Sequence, residues 1–332
     1  MFRSLYMLDG ARKIVNDCAM TKPGEGVVIV ADADRAHIAE VVALAATEAR
    51  ARPTVIIAER RPHDGAEVAE PVVRAMEAAD LVLLPVSTSI THSQGVKRAL
   101  ESGARVLSMV KCSEQTLTNG GIHMDFHKHR PRCERIAAAF TEARSARVTT
   151  PAGTDIEMSL EGRTGNAHSG IVDEPGTFSA SIHVEANIAP REDSANGIIV
   201  VDGSIPNLYA GVLREPVVLT VESGSVVDIT GGVVANQLKR FWQELGDEHA
   251  YSIGQLAVGL NTECLSLNGN HVNDHGAFGF VHFGIGTSEN IGGGNRAEAH
   301  IDVMVSRPTL ILDDDARIVV DGDVLDAPGV RA

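Results

Sequence analysis

The first 145 residues alternate short apolar runs rich in β-branched residues with stretches of helical character. In chain order these segments are strand Gly26–Val30, helix Asp34–Arg50, strand Thr54–Ala58, helix Val68–Ala78, strand Asp80–Val86, helix Ser93–Ser102 and strand Arg105–Val110. Apolar strands separated by helices are typical of a parallel sheet with helices on both faces. The pattern predicts a doubly wound α/β domain. It contains neither GxGxxG nor GxxxxGK, so no phosphate-binding loop is indicated.

After a predicted helix at Arg132–Ala146, the sequence changes to strands separated by Gly, Asn and Asp turns. The strands expected here are 147–150, 155–160, 180–188, 197–201, 217–221, 226–230, 253–260, 278–285, 299–305, 309–312 and 317–320, with one helix at 234–245. We therefore expect two domains, an N-terminal doubly wound α/β domain over residues 1–146 and a C-terminal β-rich α+β domain over 147–332.

The composition excludes several classes of protein. A formal net charge of −15, without a basic stripe, disfavours nucleic acid and anionic lipid as partners. No apolar run approaches the roughly 20 residues that a membrane span needs, and the N-terminus lacks the apolar core of a secretory signal. The 4 cysteines show no zinc spacing. We expect a cytoplasmic protein without a membrane segment.

Two polar side chains near the C-terminus are set to share one face of a strand. His300 and Asp302 flank Ile301, and residues i and i+2 of a strand point the same way. They could bind one cation, although a hydrogen-bonded pair on a solvated sheet face shows the same pattern.

His282 lies within the apolar run Phe278–Gly286, where a satisfied core histidine is the commoner case and a shared metal is the alternative. Two histidines and one carboxylate form the ligand set of many Fe(II) enzymes, and Zn(II) and Mn(II) use similar ligands. The β-rich domain is therefore the candidate metal-binding domain.

A further strand, read as Ser181–Asn187, places His183, Glu185 and Asn187 on one face, as any half-exposed strand also would. Glu185 is the strongest candidate among them. His168, and His271 with Asp274 and His275, lie in polar stretches that indicate loops. Such residues could line a cleft or simply be solvated.

His92 follows the buried strand Asp80–Val86 and opens a helix. Ligands of open α/β sheets bind beyond the carboxyl ends of the strands, where this imidazole could act as a general base. The alternative is that Thr91 or Ser93 merely caps the helix.

Several short motifs, in their shared order, resemble the Fe(II)-dependent 2,5-dihydroxypyridine 5,6-dioxygenases, which are distant relatives of the metallo-aminopeptidases of the aminopeptidase T type. The carriers are Thr91–Ser93, Asp173–Gly176, Pro190–Gly197, Gly284–Gly293, His300–Asp302, Leu312–Asp314 and Gly322–Val324. The resemblance runs through most of the chain and is strongest from about Val172 onward.

The resemblance implies roles for individual residues. In the dioxygenases the His-x-Asp strand supplies two iron ligands, here His300 and Asp302, and a histidine matching His92 serves as acid/base. Their third ligand is a histidine at the position of Gln255. The aminopeptidases have a glutamate there, a histidine matching His282 and a metal-bridging glutamate matching Glu185. The chain mixes the two patterns, which favours a mononuclear centre.

The resulting hypothesis has a metal site of His282, His300 and Asp302 that holds Fe(II), with Mn(II) or Zn(II) as alternatives. The candidate catalytic residues are His92 and Glu185, and the candidate substrate-binding residues are His168, His183 and Gln255.

The favoured activity is ring cleavage of a hydroxylated N-heterocycle or related aromatic by a dioxygenase. A metal-dependent hydrolase of a small amide or peptide-like substrate is the alternative, and a non-catalytic small-molecule binding protein is a third reading. The expected partners are a small-molecule substrate and further copies of the chain in a homo-oligomer.

Overall fold

The computed structural model describes residues 2–62, 66–91, 93–208, 211–313 and 315–329. The chain divides into two compact units, Met1–Arg130 with His168–Val184, and Pro131–Ala167 with Glu185–Ala332. This division differs from the boundary expected at residues 146/147. Most of the helix Phe126–Glu142 belongs to the second unit, where Cys133 Sγ donates to the Glu185 carbonyl oxygen. Residues 168–184 return to the first unit because Phe178–Ala180 adds a strand to its sheet.

The first unit is built on a five-stranded sheet in the order β2-β1-β3-β4-β8, and the registered pairs are all parallel. Its strands are β1 (Gly26–Ala31), β2 (Arg52–Ile57), β3 (Leu81–Leu84), β4 (Arg105–Ser108) and β8 (Phe178–Ala180). The strand order reverses at β1, which with right-handed crossovers places helices on both faces. The expected α/β sheet is confirmed.

The helices of the first unit are short and are stabilised by capping and by burial of one face. They are α1 (Phe2–Lys13), α2 (Ala36–Glu48), α3 (Glu70–Glu77), α4 (Gln94–Glu101) and α5 (Glu114–Thr118). Ser93 caps α4 by accepting from the Val96 amide at 3.3 Å. Buried residues of α3 and α4, such as Met76 and Val96, pack with Val82 and Val106 in one apolar cluster. Burial of these faces, rather than helix propensity, holds such short helices.

The second unit contains an eight-stranded sheet whose registered pairs are antiparallel, in the order β12-β11-β10-β6-β5-β16-β17-β18. Its strands are β5 (Ser145–Thr149), β6 (Asp155–Ser159), β10 (Asn196–Val201), β11 (Val217–Glu222), β12 (Ser225–Gly231), β16 (Thr309–Leu312), β17 (Ala316–Val320) and β18 (Asp323–Gly329). Strands β5 and β6 alternate buried and exposed residues, as expected for a sheet covered on one face.

A second, five-stranded sheet of this unit has the order β15-β14-β13-β9-β7. Its strands are β7 (Asn166–His168), β9 (Glu185–Ile188), β13 (Ile253–Gly259), β14 (Val281–Gly286) and β15 (His300–Val305), and the unit's helices are α6 (Phe126–Glu142), α7 (Val233–Leu245) and α8 (His271–Gly276). All residues of β13 and β14 are buried, and all but Gln255 and His282 are apolar or glycine, as expected for strands covered on both faces. The register sets Gly284 between Gln255 of β13 and Asp302 of β15.

The predicted single strand at 180–188 is wrong. Strand β8 ends at Ala180, Ile182 has a left-handed backbone with φ of 51°, and β9 begins at Glu185 in a different sheet. A β-branched residue rarely adopts positive φ, so the alternating pattern gave no sign of this break. Within the described residues, no helix is long and apolar enough to cross a membrane.

Candidate metal centre

Strand β15 brings His300 and Asp302 together on one face, as their spacing predicts. His300 Nε2 lies 3.1 Å from Asp302 Oδ1. The Asp302 side chain is 4% exposed and that of His300 is 25% exposed. The pair is therefore at the edge of a buried region, with the carboxylate inside and the imidazole reaching outward.

A third residue of the cluster, His275, comes from the short helix α8. Its Nε2 lies 2.9 Å from Asp302 Oδ2, and its side chain is 5% exposed. One carboxylate thus contacts two imidazoles, one on each oxygen. His271 lies one turn earlier on α8, and ligand atoms of His271, His275 and Asp302 all lie within 4.8 Å of one another.

The polar stretch His271–Gly276, expected to be a loop, forms this helix. Asn270 caps it by accepting from the Val272 amide at 3.0 Å. The sequence did contain a signal, because histidines at i and i+4 share one face of a helix. The burial of His275 could not be inferred from so short a polar segment.

Backbone carbonyls fix the orientation of both imidazoles. His275 Nδ1 donates to the His271 carbonyl oxygen at 2.6 Å, and His300 Nδ1 donates to the Thr287 carbonyl oxygen at 2.7 Å. With Nδ1 carrying a proton, Nε2 of each neutral ring presents a lone pair. Histidine ligands of metals are commonly held in this way, with the second nitrogen bonded to a carbonyl or carboxylate. Both Nε2 atoms point at the same carboxylate.

The pKa values show that the cluster favours positive charge. Burial alone would lower the pKa of His275. The negative charge and hydrogen bond of Asp302, and more weakly the charge of Glu185, raise this pKa to about 9. Burial also opposes the charged form of His300, yet Asp302 and the Thr287 carbonyl raise its pKa above the ordinary value. The two imidazoles outweigh burial at Asp302 and hold its pKa well below the usual range. A group of this kind stabilises either two protons or one divalent cation, so the donor set fits a metal.

A glycine on the neighbouring strand makes room for the His300 ring. A Cβ at Gly284 would lie 2.4 Å from both Cε1 and Nε2 of His300, and 2.8 Å from Cβ of Gln255. These distances are shorter than any side chain accepts, so the ring packs directly over the backbone of Gly284.

Beside this group lies a second buried polar cluster. Glu185 Oε1 accepts from Asn187 Nδ2 at 2.6 Å and from Gln255 Nε2 at 3.1 Å, while His282 Nε2 lies 3.4 Å from Glu185 Oε2 and 3.4 Å from Gln255 Nε2. The rings of His275 and His282 meet edge to face at 4.8 Å. His282, expected to be a metal ligand, is thus placed toward Glu185 and Gln255 in this structure.

Two other candidate residues, His168 and His183, belong to the first unit. His168 ends β7, where it is half-buried and packs edge-on against Phe178 at 6.2 Å. His183 is half-buried in the segment between β8 and β9. His92 lies outside the described residues. Substrate contact by His168 and His183, and acid/base catalysis by His92, remain predictions.

The fold and the cluster together indicate a class of protein that combines a parallel α/β unit with a β-rich unit carrying a histidine and carboxylate cluster able to bind a metal. Within that class, the chain belongs to the 2,5-dihydroxypyridine 5,6-dioxygenase family (NicX), whose sequence profile matches residues 7–326. It is an enzyme family that acts on a small molecule and that implies a metal cofactor.

Individual relatives agree with this assignment. The 2,5-dihydroxypyridine 5,6-dioxygenase of Pseudomonas putida KT2440 is 29% identical over 271 residues, covering 78% of this chain and 75% of that protein. A solved structure of 2,5-dihydroxypyridine dioxygenase from the same strain superposes with a TM-score of 0.79 at 24% identity and covers 96% of both chains. AmpT from Thermus thermophilus superposes with a TM-score of 0.70 at 16% identity, covering 96% of this chain and 99% of AmpT. At such identities the two superpositions establish the shared fold, including the expected relation to the aminopeptidase T type.

Proposed function

We propose that the chain is a mononuclear Fe(II)-dependent dioxygenase that cleaves the ring of a hydroxylated N-heterocycle such as a dihydroxypyridine. Family membership supplies the reaction class. The observation that carries the proposal is the Asp302 carboxylate held between Nε2 of His275 and Nε2 of His300. Two imidazoles and one carboxylate leave open coordination positions, which suits Fe(II) chemistry with a substrate and O2.

In this proposal His275, His300 and Asp302 hold the metal, and His275 replaces His282 in the expected set. His271 is the alternative nitrogen donor, since its ligand atom lies within 4.8 Å of those of His275 and Asp302. When bound, Fe(II) supplies a Lewis acid for a chelating substrate and reducing electrons for O2. Mn(II) and Zn(II) fit the same donors, but Zn(II) has no redox chemistry to offer O2.

The chain's own residues orient the ligands and set the charge around them. The two carbonyl contacts of the imidazoles fix which nitrogen faces the metal. Glu185, 2% exposed, is held by the amides of Asn187 and Gln255 and adds negative charge beside His275. We therefore assign Glu185 an electrostatic role. His92 stays the candidate for taking the substrate hydroxyl proton, a role that only the family resemblance supports.

The test uses protein stripped of metal by a chelator and reloaded anaerobically with Fe(II). Addition of 2,5-dihydroxypyridine and O2 should consume one O2 for each ring lost, and 18O2 should label the product with both oxygen atoms. Reloading with Zn(II) should give no oxygen uptake. Turnover that proceeds equally well without O2 would exclude the dioxygenase and favour the hydrolase alternative. Failure to bind Fe(II), Mn(II) or Zn(II) would leave only a binding protein. Light scattering would measure the molar mass of the protein and so test the expected homo-oligomer.

A further inference from the structure

A loop runs along the outer side of β15, the edge strand that carries Asp302. The Gly203 amide donates to the Met304 carbonyl oxygen at 3.1 Å, and the Met304 amide donates back to the Ser204 carbonyl oxygen at 2.9 Å. Further along, Asn207 Oδ1 accepts from the Asp302 amide at 3.3 Å. The loop therefore hydrogen-bonds to backbone groups at the edge of β15, and its position is fixed relative to that strand.

The same loop also contacts the helix that carries His275. The Ser204 hydroxyl donates to Asp274 Oδ2 at 2.6 Å. Both residues are essentially buried, with Ser204 0% and Asp274 1% exposed. A hydrogen bond from a hydroxyl to a buried carboxylate is charge-assisted and stronger than a neutral one.

Asp274 is the anchor of helix α8. Besides Ser204, its oxygens accept from the amides of Asn268 and Gly269 and from Asn273 Nδ2, all at 2.9 Å. Helix α8 has only 6 residues, too few for a helix to be stable by itself. Its position depends on contacts such as these, and the residue after Asp274 is His275.

We propose that Ser204 and Asp274 form a positioning pair that ties the helix ligand His275 to the strand ligand Asp302. The inference rests on the proposed metal site. The path is short: Asp302 lies two residues before Met304, Met304 is bonded to the Ser204 backbone, and the Ser204 side chain is bonded to Asp274. Metal sites need their donors held within about 0.5 Å. Without the Ser204 hydroxyl, the loop stays bonded to the strand and three donors still hold Asp274, but the side-chain bond that joins the loop to the helix is lost.

The experiment compares Ser204→Ala with Ser87→Ala in otherwise intact protein. Ser87 is a matched control because its hydroxyl donates to the buried carboxylate of Asp32, also at 2.6 Å, in the other unit. Mn(II) affinity is measured by electron paramagnetic resonance titration, Co(II) coordination by visible absorption, and stability by thermal unfolding of the chelator-treated protein.

Ser204→Ala should weaken Mn(II) binding about tenfold and alter the Co(II) bands, the size of effect typical of residues that orient metal ligands. Ser87→Ala should leave both unchanged, and Ser204→Cys, which retains a weaker donor, should recover part of the affinity. Wild-type affinity and an unaltered Co(II) spectrum in Ser204→Ala would overturn the inference, as would equal weakening in both alanine variants.

If Ser204→Ala does not fold, Asn273→Ala removes another donor to the same carboxylate, at a half-buried position. Weaker Mn(II) binding in that variant supports the positioning role, and unchanged binding contradicts it. Absence of metal binding in the wild type is a separate result, because it contradicts the proposed function itself.

Discussion

Substitution of Gly284 by alanine, on the strand next to β15, should damage the proposed metal centre. The backbone at Gly284 does not require positive φ, so alanine introduces no left-handed strain, although its Cβ would lie 2.8 Å from Cβ of Gln255. The added Cβ would lie 2.4 Å from Cε1 and Nε2 of His300. Because carbon contacts are comfortable only at about 3.5 Å or more, the ring must move by about 1 Å. That movement strains the 2.7 Å bond from Nδ1 to the Thr287 carbonyl oxygen and takes Nε2 away from Asp302.

The expected cost follows from these contacts. Overpacking a buried site costs about 1–3 kcal/mol. If this cost falls on the metal-bound state, it corresponds to roughly 5- to 150-fold weaker binding. Mn(II) titration and thermal unfolding with and without metal would measure both effects. Gly26→Ala is the matched control, since a Cβ there meets only Asp80 Oδ2, at an ordinary 3.6 Å. In Gly284→Ala/His300→Ala the clash with the ring is gone and only the contact with Gln255 Cβ remains. The added alanine should therefore lower the unfolding temperature less in His300→Ala than in the wild type. Wild-type Mn(II) affinity in Gly284→Ala would show that the position of the His300 ring over Gly284 does not matter for metal binding.

Three further predictions concern the same structure. His275→Ala should abolish tight Mn(II) binding, whereas His282→Ala should weaken it far less; equal losses in calorimetric titration would restore His282 as a ligand. Since the pKa of His275 is about 9, a proton competes with the metal at neutral pH, so Mn(II) affinity should rise about tenfold per pH unit from 7 to 9 and then level off; a flat profile in buffers matched for ionic strength would contradict this. Burial raises the pKa of the Cys112 thiol to about 12, and all 4 cysteines are buried, so a thiol reagent at pH 8 should label the folded protein slowly and the urea-unfolded protein completely; rapid labelling of folded protein would contradict the burial.

The parallel sheet of the first unit was predictable for a physical reason. Strands such as Leu81–Leu84 are buried on both faces, so every position is apolar and the strand is visible as a continuous apolar run in the sequence. The fifth strand, Phe178–Ala180, was not predictable as part of that sheet. It is 3 residues long and pairs with Arg105–Ser108, from which it is separated by the whole segment 109–177. No local pattern records such a pairing.

The residues of the proposed metal site divide in the same way. The spacing of His300 and Asp302 within one strand fixes their common direction, and the structure places their side chains 3.1 Å apart. His275 is close to Asp302 only because α8 packs against the sheet, and its neighbours in sequence are the polar residues of a loop-like segment. The role of Gly284 also depends on register across strands, since it is the residue paired with Asp302.

The substitution of glutamine for histidine at position 255, judged by family resemblance alone, removes an iron ligand and weakens the case for iron. The structure supplies a physical alternative. Gln255 donates to Glu185 at 3.1 Å and so helps to hold a buried carboxylate beside the cluster, while a nitrogen donor arrives from a different element, His275 on α8. The number and chemical type of the ligands are then preserved although one position has changed. For this reason the glutamine at position 255 does not argue against iron, provided that His275 binds the metal.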